Sequence, residues 1–187
     1  MKKTVIIESP FANKDTVKRN ENILYVNAVA RNISIITKGK LNPLFFHTFY
    51  TQFLCDDNSY ERDLGLEMSF VYHDLADLKL ITIDRGISGG MVEGVKTALL
   101  NGKEIQFFTL CEPSSEYAKA VEDINQISDP KTRWEAGLAY VSSLEEINPL
   151  GDLTTFRKDS VKLYKAVAEN ISNFFNPLGN YAQNVAA

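Results

Sequence analysis

The segment Asp84-Arg85-Gly86-Ile87-Ser88-Gly89-Gly90-Met91 carries the most chemical content in the chain. Three glycines fall within five residues, between an apolar run and a helical pattern. A glycine-rich turn at a helix start lets backbone N–H groups come close to an anion. Ser88 can donate to a phosphate or cap the following helix, and an isolated Ser-Gly-Gly suits a plain turn with an N-cap equally well. The segment lacks the lysine of a GxxxxGK[ST] phosphate loop and does not match the GxGxxG dinucleotide pattern, so ATP hydrolysis and nicotinamide chemistry are not expected.

Glu8-Ser9-Pro10-Phe11 ends the first apolar run, at the carboxyl end of an expected strand, where open α/β sheets place ligands. A carboxylate there can hold two sugar hydroxyls; the plain reading is a solvated strand-terminal turn. His47 follows Phe45-Phe46 at another expected strand end, and Tyr50, Gln52 and the pair Asp56-Asp57 continue a polar, aromatic loop suited to a site wall. A lone histidine is more often structural than a ligand contact. Glu61-Arg62-Asp63 and Asp74 to Asp77 read as solvated faces. The candidate ligand-binding residues are therefore Glu8, Ser9, Pro10, Phe11, His47, Tyr50, Asp84, Ser88, Gly89, Gly90 and Met91.

The elements that must position these residues alternate. Thr4 to Ile7 is a short β-branched run ended by Glu8-Ser9-Pro10. A polar stretch from Asn13 to Asn22 precedes apolar steps at Ile23, Val26, Ala30 and Ile33, with Gly39 as the helix stop. Leu41 to Phe46 predicts a second strand. Glu61 to Ala76 sets Leu64, Met68, Val71, Tyr72 and Leu75 on one helical face, and Leu78 to Ile83 reads as a fully buried strand. Met91, Val95, Ala98 and Leu99 predict a helix ending at Asn101-Gly102, and Lys103 to Leu110 a fourth strand. This predicts an α/β, Rossmann-like parallel sheet flanked by helices, over residues 1–112. Beyond Pro113 the pattern turns helical, at Glu116 to Ile127, Thr132 to Glu146 and Phe156 to Phe175. Residues 113–187 are thus expected to form an additional C-terminal helical segment, packed on the sheet domain or at a subunit interface. Its aromatics, Trp134 and Tyr140 among them, suit either a core or a second subunit.

Composition narrows the partners. The 187 residues are 44% hydrophobic and 24% charged, as in ordinary globular proteins, and carry a formal charge of -4. General nucleic-acid binding needs a basic face and is not expected; a small ligand is. Cys55, Cys111, His47 and His73 lack metal-ligand spacing, so free thiols, no metal and no cofactor are expected. The apolar run after Met1-Lys2-Lys3 stops at Glu8, too short for a signal peptide, and no stretch is long enough to span a membrane. A cytoplasmic protein is the expectation.

The ordered set Val-Ile-Ile-Glu-Ser-Pro-Phe-Ala at 5 to 12, His-Thr-Phe-Tyr-Thr-Gln at 47 to 52, Asp-Asp at 56 to 57, Glu-Arg-Asp-Leu-Gly-Leu at 61 to 66 and Asp-Arg-Gly-Ile-Ser-Gly-Gly-Met at 84 to 91 resembles a group of uncharacterised bacterial and bacteriophage domains. That group in turn looks like the nucleoside 2-deoxyribosyltransferase superfamily. The resemblance spans residues 4 to 110. It implies a Rossmann-like fold, a nucleoside or nucleotide ligand, cleavage or transfer at the N-glycosidic bond, self-association, and residence in a bacterial cell or, if phage-encoded, an infected host. It also implies a nucleophilic glutamate on the helix after the glycine turn, with an aspartate near the base for proton transfer. Glu93 is the carboxylate at that helix start. The family's glutamate precedes a small residue by four, and four back from Ala98 is Gly94. One helical residue rotates a side chain by about 100°, so a second reading stands beside the first: a non-catalytic binder of a nucleotide or nucleotide-derived signal, such as a phage counter-defence protein.

Overall fold

A computed structural model of the chain describes residues 2–111 and 113–144. Four strands, β1 (Lys3–Glu8), β2 (Leu41–Leu44), β3 (Leu78–Thr82) and β4 (Glu104–Phe108), form one sheet in the order β2-β1-β3-β4. Every pairing is parallel, with Ile6 opposite Leu44 on one side and Lys79 on the other. The expected parallel sheet is therefore present. β2 is shorter than expected because only Leu41 to Leu44 find partners on β1; Phe45 and Phe46 leave the sheet. Pro43 is tolerated because β2 is an edge strand, where a missing N–H breaks no inner ladder.

The helices are α1 (Thr16–Ile36), α2 (His47–Tyr50), α3 (Ser59–His73), α4 (Gly89–Leu100), α5 (Glu116–Asn125) and α6 (Pro130–Ser142). α1 starts inside the polar stretch, ahead of its first apolar step, because the Asp15 side chain caps it by accepting from the Val17 N–H at 2.8 Å. It ends near Gly39, whose φ of 70° suits a helix-terminating turn. The short helix α2 lies in the stretch expected to be loop.

From β1 the chain steps one way to β2, then back across β1 to β3 and on to β4. With right-handed crossovers such a reversal puts α1 on one face and α3 and α4 on the other. It also opens a crevice beyond the carboxyl ends of β1 and β3, the strands flanking the reversal. Ile81, Ile105 and Phe107 of the sheet pack with Met91, Val95 and Ala98 of α4 and with Val121, Ile124, Trp134 and Val141 of α5 and α6 in one core. Trp134 lies parallel to Phe107 at 6.1 Å between ring centres, so this aromatic belongs to the intrachain core. The expected helix Phe156 to Phe175 lies outside the described residues.

α3 departs from its expected packing. Val71 and Leu75 are 67% and 68% exposed, and Met68 and Tyr72 are also exposed. The opposite stripe, Glu61, Gly65, Ser69 and His73 at four-residue steps, faces the crevice. This helix covers a cavity, which Leu66 and Phe70 also line, so its inner face mixes polar and apolar residues instead of forming a core stripe. No helix among the described residues is long and apolar enough to cross a membrane.

Candidate functional site

The crevice at the reversal encloses about 310 Å³, within the range of small-ligand pockets. β1 and the loop after it contribute Glu8, Ser9 and Phe11, the two ends of α2 contribute His47 and Tyr50, and the turn into α4 contributes Ser88, Gly89, Gly90 and Met91. These nine candidates converge. Pro10, Asp84 and Glu93 do not line the crevice.

Asp84 is fully buried beneath the turn. It accepts from the Tyr25 and Thr109 hydroxyls and from the Leu110 N–H at 3.0 Å, which ties α1 and the end of β4 to the end of β3. Burial, reinforced by this carboxylate, pushes the Tyr25 hydroxyl well above its usual pKa. Asp84 thus anchors the end of β3, ahead of the glycine turn, to α1 and to the residues after β4. Glu93 points out of the helix into solvent: its side chain is 62% exposed and pairs with Lys96 at 2.7 Å. The next residue along α4, Gly94, is the buried one.

The Ser88 side chain caps α4, accepting from the Met91 N–H at 3.4 Å, while the Met91 sulfur accepts from the Ser88 N–H. Gly89 and Gly90 have no positive φ, and a Cβ at either would meet nothing within 4 Å. Neither backbone conformation nor packing requires glycine there. Both positions are bare along the crevice, where the positive end of the helix dipole faces.

Two buried polar atoms in the crevice wall have no hydrogen-bond partner among the described residues: the Ser9 hydroxyl and Nε2 of His47. Buried polar groups are normally paired, and an unpaired one in a cavity wall marks where a ligand can bond. Burial lowers the His47 pKa to about 4, so the ring is neutral near pH 7 and offers one donor and one acceptor. Phe11 lies 5.3 Å from it, ring centre to ring centre.

Sequence reasoning missed the α3 stripe, Phe46, Phe70 and the group beneath Glu8. That group is Lys79, 1% exposed on a strand buried along its whole length. Its ammonium pairs with Oε1 of Glu8 and stands 3.1 Å and 3.2 Å from the two ring nitrogens of His73. Burial lowers the Lys79 pKa, and the Glu8 carboxylate opposes that shift. Burial first and then the Lys79 charge take His73 down to about 4. A lysine within Leu78-Lys79-Leu80-Ile81 was the available signal, because a cation in a buried strand demands an acid. Among the described residues no cluster of three or more His, Cys, Asp or Glu side chains is arranged to hold a metal.

The chain belongs to the family described as "Domain of unknown function (DUF7768)", whose profile matches residues 3–108. Among solved structures it is similar to the "2-desoxiribosyltransferase from Leishmania mexicana", at 19% identity over 68% of this chain and 75% of that one, with a TM-score of 0.37. No curated protein matches it.

Proposed function

We propose that the crevice binds a nucleoside or nucleotide and that the chain cleaves or transfers at its N-glycosidic bond. The observation that carries this reading is the meeting, in one crevice at the sheet reversal, of an aromatic wall, a carboxylate and a bare helix start. Phe11 and Tyr50 offer faces for a base. The buried, unpaired Nε2 of His47 offers a hydrogen bond to its edge. Gly89, Gly90 and the Ser9 hydroxyl suit a phosphate or sugar oxygen, since short glycine positions allow backbone N–H groups to approach it.

Non-catalytic binding of a nucleotide or nucleotide-derived signal is the second reading. The solvent-facing, Lys96-paired Glu93 favours it, because this is the carboxylate that the resemblance makes the nucleophile. Both readings include self-association; sedimentation at micromolar concentration showing only a 21.0 kDa species would remove that part.

A thermal-shift panel of nucleosides, their mono- and polyphosphates and cyclic dinucleotides tests the shared claim. The expected result is a rise in melting temperature with nucleosides or nucleotides and none with free sugars or inorganic phosphate alone. A flat panel would contradict both readings.

A further inference from the structure

We propose that Glu8, delivered from the end of β1, is the attacking carboxylate of this crevice, and that Gly94 is glycine in order to admit it. The proposal rests on reading the crevice as an N-glycosidic site. Gly94 is buried in the second turn of α4. A Cβ built there would stand 2.5 Å from Oε1 of Glu8, 2.9 Å from its carboxyl carbon and 3.0 Å from Oε2. The carboxylate therefore occupies the space that any other residue at 94 would fill. Glycine inside a helix costs stability relative to alanine, so its presence at this contact is matched by what it makes room for.

The support beneath Glu8 points the same way. Burying Lys79 and most of Glu8 sacrifices hydration that an apolar pair would not, and such arrangements gather where a charge is needed in a fixed place. The crevice also holds Asp56, 3.7 Å from Arg62, and Glu61, which accepts from the Cys55 N–H at 2.7 Å. Of these three carboxylates, Glu8 is the one that lies against α4 near the glycine turn.

In the reaction, a Glu8 oxygen adds to C1′ of the sugar from the face opposite the base. The C1′–N bond breaks, its electron pair goes to the base nitrogen, and that nitrogen takes a proton from water. The glycosyl ester is then opened at C1′ by water, releasing free sugar, or by the nitrogen of a second base, completing transfer; either step returns the carboxylate, and the proton lost by the attacking water or base N–H neutralises the hydroxide left by the first step. Lys79 stays paired throughout and positions the carboxylate.

The test uses 2′-deoxy-2′-fluoroarabinosyl purine and pyrimidine nucleosides, with and without 5′-phosphate, whose fluorine slows ester breakdown. Peptide mapping by mass spectrometry should find the fluorosugar on the peptide containing Glu8. Glu8→Gln should lower base release from 2′-deoxynucleosides on the order of a thousandfold while keeping the ligand-induced thermal shift. The double variant Glu8→Gln with Lys79→Met removes both charges and should behave alike, which guards against a folding defect in the single one. An adduct on Glu93, or base release that survives Glu8→Gln and disappears in Glu93→Gln, would overturn the assignment and leave the N-glycosidic reading standing. A wild-type chain that binds the 2′-deoxynucleosides but releases no base would overturn both.

Discussion

Lys79 on β3 and Glu8 on β1 lie on adjacent parallel strands, two residues apart in register, and close an ion pair under the crevice. Removing one member leaves the other desolvated and alone. Glu8→Ala should therefore destabilise the fold by about 3 kcal/mol, and the double variant Glu8→Gln with Lys79→Met should return to within about 1 kcal/mol of wild type, because apolar or neutral replacement of a whole buried pair is far better tolerated. Urea midpoints of the three proteins check this; a double variant weaker than Glu8→Ala would show that the pair itself stabilises.

His47 and His73 both have pKa values lowered to about 4, against 6.5 when exposed. Between those values the unfolded chain binds protons that the folded chain refuses, so stability should fall as pH drops from about 6.5 towards 4. Replacing both histidines by asparagine should flatten that part of the curve. Urea midpoints measured every half unit from pH 7.5 to 4.5 give the comparison, and equal slopes for the two proteins would count against buried neutral rings.

Gly94→Ala tests the fit of Glu8 against α4. Alanine raises helix propensity by about 1 kcal/mol over glycine, yet its Cβ would enter the space of the Glu8 carboxylate, 2.5 Å from Oε1. Moving the carboxylate aside disturbs its pair with buried Lys79, so thermal stability should fall despite the gain in propensity, and kcat for base release should fall at least about tenfold, one factor of ten being 1.36 kcal/mol. Unchanged kcat in this variant would mean that the position of Glu8 is irrelevant to the chemistry.

A different loss is expected at Gly89. A Cβ there would meet nothing within 4 Å, so Gly89→Val should fold normally and, because the position lines the crevice, weaken ligand binding more than Glu93→Gln does. Affinity by calorimetry decides it, and an unaltered Kd in the folded valine variant would remove the glycine turn from the site.

The strands were legible because Val5-Ile6-Ile7 and, but for Lys79, Leu78 to Ile81 are short apolar runs bounded by polar residues, and their carboxyl ends located the crevice. The inner face of α3 was not. Leu64, Met68, Val71, Tyr72 and Leu75 form a true apolar stripe, but periodicity says which face is apolar, not that a core lies beneath it. Here the sheet reversal leaves a cavity under α3, lined by Glu61, Gly65, Ser69 and His73. The roles of Asp84 and Glu93 were illegible for another reason: each depends on where one side chain points at a strand or helix end, which a single residue of register decides.

Release of free base by the wild-type chain tests the central claim most directly. The purified protein is incubated with each 2′-deoxynucleoside and its 5′-monophosphate, and the mixture is resolved by reversed-phase chromatography over time. Free base should accumulate in proportion to protein concentration from those compounds that raise the melting temperature. Ligands that raise the melting temperature yet remain intact over many hours at high protein concentration would contradict N-glycosidic chemistry and leave a binding protein in its place.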